Sequence, residues 1–323
     1  MRSRKLGEVR EAAAASVVVV FLDGLGLGAD SEHNPLSTPG TMPFLERYIG
    51  RLLLAKASAR GALYLRKPHL PKPYLPKPID ARLGVAGLPQ SATGQTTLYT
   101  GQNASVFLGR HQSGFANGSL RKLIDQYGLL GRVLAAGGTA TLANAYSPDY
   151  FYAIAHRKRR YSVCTLLNLS AGLPFRLQYE YERGEALFWD IAGEWAPANR
   201  CGRQPISAAV AGKRLARMSD RYSVTLFECY LTDYAGHAQN QTQAIAALQR
   251  IDTFLEHLIA ELPPKVTLVV TSDHGNVEDL STKRHTLNPV PLLTVGPEAD
   301  AFASVEDLTD ITPCILSVLG LQT

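Results

Sequence analysis

The stretch Val266-Thr267-Leu268-Val269-Val270 is mostly apolar, and Thr271-Ser272-Asp273-His274-Gly275-Asn276 follows it directly. A short apolar run rich in β-branched residues predicts a buried strand. An Asp-His pair at the end of such a strand places a carboxylate beside an imidazole, and these ligand types suit Zn²⁺ or Mn²⁺. An isolated Asp-His-Gly is equally typical of a plain turn, so its meaning depends on the rest of the chain.

Two further apolar runs lead to acidic residues. Residues 16–22 predict a second buried strand, and Asp23 follows it directly. Residues 223–231 predict a third strand, which is followed by Asp233 and, four residues later, by His237. A carboxylate and an imidazole at this spacing face the same ion if the chain curls after the strand.

The segment His-Thr-Leu-Asn-Pro-Val-Pro, which begins at His285, supplies another imidazole. Ligands of open α/β sheets bind beyond the carboxyl ends of the strands. We therefore expect a single metal site that contains six side chains, namely Asp23, Asp233, His237, Asp273, His274 and His285. The alternative is four unrelated loops.

A fifth segment, residues 87–101, is rich in glycine and hydroxyl side chains and poor in charge. A helix that begins near Ser91 would place this hydroxyl in the positive field of a helix N-terminus, beside free backbone N–H groups that favour phosphate. A neighbouring metal ion would lower the pKa of the hydroxyl and make it a nucleophile. The alternative is an ordinary helix cap.

Taken together, the five segments resemble those of the alkaline phosphatase superfamily, in the branch that contains cofactor-independent phosphoglycerate mutase and phosphopentomutase. The order of the motifs is kept, over the first 145 residues and the last 110 or so. The resemblance implies two divalent metal ions, Zn²⁺ or Mn²⁺, that flank a Ser or Thr nucleophile. It assigns Asp233, His237 and His285 to one ion, Asp23, Asp273 and His274 to the other, and the nucleophile to Ser91, with Thr93 as the alternative.

Two features depart from the mutases. Their serine loop reads Asn-Ser-Glu-Val-Gly-His, whereas this chain has Gln90-Ser91-Ala92-Thr93-Gly94-Gln95, and the large substrate domain of phosphoglycerate mutase is missing. We therefore expect hydrolysis of a small phosphate ester through a phosphoserine. A phosphomutase that acts on phosphoglycerate or a sugar phosphate is the alternative. A sulfatase-like enzyme is disfavoured because Ser91 lacks the Pro and Arg of that motif, and a non-catalytic binding protein is disfavoured by the complete ligand set.

Arg110 and His111 follow the hydroxyl-rich segment. Both side chains are suited to hydrogen bonds with phosphate oxygens, so they are candidate substrate-binding residues. A surface turn explains the same pair equally well.

The apolar strands alternate with helical patterns, which predicts an α/β fold: a mostly parallel sheet flanked by helices on both faces. We expect a polar tail at residues 1–15, a core formed by residues 16–145 and 205–323, and an inserted cap at residues 146–204. The cap carries both tryptophans and many tyrosines, which suits partial cover of a ring-bearing leaving group.

Within the core, residues 67–78 contain the unit Leu-Pro-Lys-Pro twice. Proline at this density predicts an extended segment, and a rigid surface loop is favoured over an arm that docks a partner.

The chain has 323 residues, a net charge of +5 and 46% hydrophobic residues, as an ordinary globular protein does. Its basic, apolar N-terminus resembles a signal peptide. However, the apolar run leads straight into Asp23 without a cleavage site, so we expect a cytoplasmic protein. No stretch is long enough for a membrane span, and no cysteine pair has zinc-site spacing. We expect neither nucleic acid nor membrane as a partner; the oligomeric state is open.

Overall fold

The computed structural model describes residues 15–52, 74–194 and 204–321, so nearly all of the predicted N-terminal tail and residues 67–73 of the proline-rich segment lie outside the described residues. The described strands are β1 (Ser16–Leu22), β2 (Tyr74–Ile79), β3 (Ala140–Leu142), β4 (Val224–Cys229), β5 (Val266–Thr271) and β6 (Val290–Val295). The described α-helices are α1 (Pro43–Ile49), α2 (Ser91–Thr100), α3 (Ala104–Leu108), α4 (Gly118–Tyr127), α5 (Leu129–Ala135), α6 (Pro148–Ala155), α7 (Val163–Ser170), α8 (Gln178–Glu182), α9 (Ala208–Ser219), α10 (Leu231–Ala238), α11 (Gln241–Ala260) and α12 (Ile311–Val318). Short 3₁₀ turns occur at Pro35–Ser37, Ala299–Ser304 and Leu308–Asp310.

The six strands form one sheet in the order β2-β6-β5-β1-β4-β3. The central strand β1 pairs in parallel with β4 and β5, and β3 pairs in parallel with β4. Strand β6 runs antiparallel to both β5 and β2, so five strands point one way and β6 points the other. The α/β fold is confirmed, and the sheet is mixed because of β6.

Helices cover both faces of the sheet. This cover is needed because successive side chains of β1 point to opposite faces and all of them are buried. Val18, Val20 and Leu22 belong to one buried cluster that includes residues of α9 and α11. Val17, Val19 and Phe21 belong to a second cluster that includes residues of α2, α4 and α7. A strand that is apolar on both faces is thereby buried throughout, which explains the unbroken apolar run in its sequence.

The strand register determines where the chemistry-bearing loops emerge. Leu22 at the end of β1 lies opposite Cys229 of β4, and Phe21 lies opposite Thr271 of β5. The segments that follow these three strands therefore leave the sheet at the same edge.

The segment predicted as a cap packs on the body of the protein. Val163, Cys164 and Leu167 of α7 are buried in the same cluster as Val17 of β1. Residues 195–203 lie outside the described residues. The division of the chain into a core and a separate cap stays a prediction.

Strand β2 contains the second half of the proline-rich segment. It lies at one end of the strand order and, among the described strands, pairs with β6 alone. Proline lacks an N–H donor, and an edge strand tolerates it because one side of the strand needs no ladder partner. The extended conformation predicted for the segment is therefore present at residues 74–79.

No helix within the described ranges has both the length and the apolar character needed to cross a membrane.

Candidate metal centre

The first cluster of metal-binding side chain types consists of Asp23, Asp273 and His274, which follow β1 and β5. One ligand atom from each lies within 4.8 Å of the others. The Nε2 atom of His274 is 3.2 Å from Asp23 Oδ1 and 3.6 Å from Asp273 Oδ2. All three side chains are buried. We refer to these three residues as the buried cluster.

The second cluster consists of Asp233, His237 and His285, whose ligand atoms also lie within 4.8 Å of one another. Asp233 and His237 are four residues apart on α10, so they share one face of that helix. The Oδ1 atom of Asp233 is 3.4 Å from His237 Nε2 and 3.6 Å from His285 Nε2. The His237 side chain is 46% exposed. We refer to these three residues as the open cluster.

The two clusters adjoin each other. The rings of His274 and His285 are stacked, with centroids 3.6 Å apart and planes inclined by 12°. A tight turn helps to bring β1 and α10 together, because Gly24 has a φ of +71° and a Cβ atom there would lie 2.9 Å from the Cα atom of Asp233. The six side chains that the sequence singled out thus meet at one edge of the sheet.

Each histidine presents its Nε2 atom to the carboxylates because its Nδ1 atom faces a backbone carbonyl. The Nδ1 atoms of His237, His285 and His274 lie 2.8, 2.9 and 3.4 Å from the carbonyl oxygens of Lys283, Pro89 and Gly275. A carbonyl behind the ring is the usual arrangement that orients a metal-binding histidine.

The carboxylates of the buried cluster suit a divalent cation. Burial, together with the neighbouring acidic groups, raises the pKa of both Asp23 and Asp273. The Oδ1 atom of Asp273 is buried and has no hydrogen-bond partner among the described residues, and the buried Oδ1 atom of Asp23 faces His274 Nε2 at 3.2 Å. A buried carboxylate oxygen without a partner is costly, and a cation bound between these oxygens would remove that cost.

The two stacked histidines, His274 and His285, differ in charge. Burial alone would lower the pKa of His274, but the charges of Asp273 and Asp23 outweigh it and raise the pKa to about 10. Burial and the neighbouring His274 charge lower the pKa of His285 to about 4. Burial opposes ionisation of Asp233, but contacts with His237, His274 and Asn276 outweigh it and lower its pKa to about 2. The metal-free open cluster therefore holds an ionised Asp233 beside a neutral His285 at neutral pH.

Ion binding at the buried cluster is expected to release at least one proton. Since the pKa of His274 is about 10 in the metal-free protein, the imidazole carries a proton at neutral pH. A ligand imidazole must be neutral, so affinity should rise by up to about tenfold per pH unit below that pKa. Calorimetric titration with Mn²⁺ in two buffers of different ionisation enthalpy would count the protons. A binding heat that is the same in both buffers would contradict this expectation.

Ser91 lies beside the buried cluster, at the first position of α2. Its Oγ atom is 3.0 Å from His274 Nε2. Thr93 is fully buried, and its hydroxyl donates to the carbonyl of Gln90 and accepts from the N–H of Gln112. Of the two candidate nucleophiles, Ser91 has its hydroxyl at the buried cluster, whereas the Thr93 hydroxyl forms hydrogen bonds with the backbone of neighbouring segments.

The helix N-terminus offers fewer free amides than the sequence suggested. The N–H groups of Ala92 and Thr93 point to the carbonyl of Gln112, at 3.1 and 3.4 Å. An approaching segment of the chain, rather than an anion, therefore satisfies these two donors of α2.

Arg110 and His111 lie on that approaching segment, which follows α3. Arg110 is exposed. The ring nitrogens of His111 lie 3.1 Å from Ser105 Oγ and 3.2 Å from the Val85 carbonyl oxygen. These contacts hold the segment in place, and substrate binding by either residue stays a prediction.

Three residues at the clusters were missed by sequence reasoning. The Nε2 atom of Gln95 donates to Asp23 and Asp273, at 3.3 and 3.2 Å, and Asn276 Nδ2 donates to Asp233 Oδ1 at 2.7 Å. Glu278 accepts hydrogen bonds from the loops around both clusters. Only Gln95 had a signal, because it lies four residues after Ser91 and so on the same helix face.

The last third of the chain is similar in sequence to known proteins. Residues 204–323 match the model of the Metalloenzyme superfamily. The 2,3-bisphosphoglycerate-independent phosphoglycerate mutase of Clostridium perfringens is 35% identical over 114 residues, which cover 32% of this chain and 22% of that enzyme. The enzyme of the same name from Halobacterium salinarum is 37% identical over 99 residues, 28% of this chain and 20% of that enzyme. The matched region therefore spans less than a quarter of either relative's length.

Solved structures extend the likeness to the whole fold. A protein of Pyrococcus horikoshii has a TM-score of 0.56 at 12% identity, covering 97% of this chain and 98% of that one. The alkaline phosphatase of the Antarctic bacterium TAB5 has a TM-score of 0.53 at 12% identity, covering 97% and 100%. Residues 204–323 are therefore similar to the Metalloenzyme superfamily, and the described chain has the alkaline phosphatase type of fold that its motifs predict.

Proposed function

We propose that this protein is a metal-dependent enzyme that hydrolyses small phosphate esters, with Ser91 as the nucleophile. The observation that carries the proposal is the position of Ser91 Oγ, 3.0 Å from His274 Nε2, where the buried and open clusters adjoin. A hydroxyl beside two carboxylate–histidine clusters is the arrangement that two-metal phosphoryl transfer needs.

In this proposal the buried cluster and the open cluster each hold one divalent ion, Zn²⁺ or Mn²⁺. One cluster has two carboxylates and one imidazole, and the other has one carboxylate and two imidazoles. Both sets suit either metal. When bound, the ions would neutralise phosphate oxygens and favour the ionised form of the nucleophile.

The proposed hydrolysis proceeds in two halves, with a phosphoserine between them. In the first half, a bond forms between Ser91 Oγ and phosphorus, the bond to the ester oxygen breaks, and the alcohol leaves with the serine proton. In the second half, water attacks phosphorus, the bond between phosphorus and Ser91 Oγ breaks, free phosphate leaves, and Ser91 takes up a proton from the water. Gln95 holds Asp23 and Asp273 in place through both halves, since its amide contacts both carboxylates.

Two features favour water over a retained substrate as the acceptor. The His237 side chain is 46% exposed and Tyr234, on the same helix, is 49% exposed, so the open cluster reaches solvent at His237. A mutase must enclose its dephosphorylated substrate while that substrate reorients. The phosphomutase alternative is favoured by the names of the relatives, although the chain covers only 22% of the Clostridium perfringens enzyme.

Product analysis tests the reaction class. The protein loaded with Mn²⁺ or Zn²⁺ is expected to release free phosphate from monoesters, or an alcohol from diesters, in a screen that includes aryl and sugar phosphates. Clean interconversion of two phosphoglycerates or two pentose phosphates without free phosphate would establish the mutase alternative. Ion binding without turnover of any ester would support a non-catalytic binding protein.

A further inference from the structure

Glu278 is a buried carboxylate, with only 1% of its surface exposed, that contacts the loop after β1 and two parts of its own loop between β5 and β6. Its Oε2 atom accepts from the N–H groups of Gly26 and Asn276, at 3.0 and 2.7 Å. Its other oxygen, Oε1, accepts from the Thr286 hydroxyl and from Asn288 Nδ2, the latter at 3.1 Å. Four donors around two oxygens match the acceptor capacity of an ionised carboxylate.

Three nearby glycines leave the space that the Glu278 side chain occupies. A Cβ atom at Gly26 would lie 2.2 Å from Glu278 Oε1, and a Cβ atom at Gly275 would lie 2.1 Å from the same oxygen. At Gly28 a Cβ atom would lie 2.9 Å from Glu278 Cγ. Three glycines on two loops thus allow the chain to close around one side chain.

The contacted loops carry ligands of both clusters. Gly26 is three residues after Asp23, and Thr286 directly follows His285. Asn276 follows His274 by two residues, and its own side chain donates to Asp233 Oδ1 at 2.7 Å. Glu278 is therefore linked to ligands of both clusters, either through hydrogen bonds or through a few residues of the backbone.

We infer that Glu278 is a positioning residue that sets the geometry of both metal clusters at once. This inference rests on the proposed function, because it requires that the two clusters bind ions. Gln95 provides the contrast within the same site, since among the described residues its side-chain amide donates to the two carboxylates of the buried cluster and to no ligand of the open cluster.

Titration of the full-length, metal-free protein with Mn²⁺ tests the inference, with free Mn²⁺ measured by electron paramagnetic resonance. Glu278→Gln keeps the shape of the side chain but replaces an acceptor by a donor. We expect both ions to bind about 10-fold to 100-fold more weakly, the range for residues that orient metal ligands. Excess Mn²⁺ should restore most of the turnover. Gln95→Leu should weaken mainly one ion, and Glu256→Gln, exposed on α11, should change neither.

The possible outcomes separate the inference from the function it rests on. If the unsubstituted protein fails to bind two ions, the proposed function is wrong. If it binds two ions and Glu278→Gln retains both affinities, or loses only one, the inference is wrong. If circular dichroism shows that Glu278→Gln does not fold, Thr286→Val removes a single donor to the same carboxylate. A weaker affinity for both ions in Thr286→Val would support the inference, and unchanged binding would overturn it.

Discussion

Substitution of Ser91 by alanine is expected to lower turnover of every phosphate ester by about 10³-fold or more, the scale seen when a catalytic nucleophile is removed. The change deletes the hydroxyl that lies 3.0 Å from His274 Nε2 and leaves both clusters of ligands intact. Phosphate transfer to the protein should therefore disappear, while Mn²⁺ binding persists. Turnover, acid-stable incorporation of labelled phosphate and ion binding are the three measurements.

Thr93→Val is the matched comparison for the nucleophile. The Thr93 hydroxyl is buried between Gln90 and Gln112, so its loss should affect stability more than chemistry. Turnover that survives in Ser91→Ala but disappears in Thr93→Val would transfer the role of nucleophile to Thr93.

Asp273→Asn is expected to have two effects of opposite sign. Ion binding at the buried cluster should weaken by about 100-fold or more, because loss of a ligand exceeds the effect of losing an orienting contact. Burial and the Asp23 charge raise the pKa of Asp273 well above its usual value, so the ionised form is costly in the folded protein. A carboxyl with a raised folded-state pKa destabilises the fold above its unfolded-state pKa, and a neutral amide removes that cost at neutral pH.

Thermal unfolding of the metal-free variant tests the second effect. The unfolding midpoint should rise, by about 2 °C for each kcal/mol gained. Asp125→Asn, an exposed position on α4, should change neither the midpoint nor ion binding. We expect Asp273 to favour metal binding at the expense of the stability of the metal-free protein. A lower midpoint for metal-free Asp273→Asn would contradict this, because it would show that the carboxylate stabilises the fold.

Sequence reasoning reached the fold and the meeting point of the six side chains, and it failed at the N-terminus of α2. The apolar runs at residues 16–22 and 266–270 correspond to β1 and β5. The expectation of free amides beside Ser91 was wrong for Ala92 and Thr93, because the carbonyl of Gln112 accepts from both. Every residue has a backbone carbonyl, so no residue type in the sequence could indicate which one approaches the helix.

The sequence by itself determined which side chains meet, because residues that directly follow neighbouring parallel strands leave the sheet at one edge. For Asp23 and Asp273 the preceding strand was the signal, whereas Asp233 lies on α10, four residues after the end of β4. The tertiary structure alone decided the reversed direction of β6, the contact of Gln95 with two carboxylates and the burial of Glu278 between two loops. These features depend on how distant segments pack against one another. Gly26 and Gly275 allow the Glu278 side chain to approach the backbone closely. This role can be recognised only when the position of Glu278 is known.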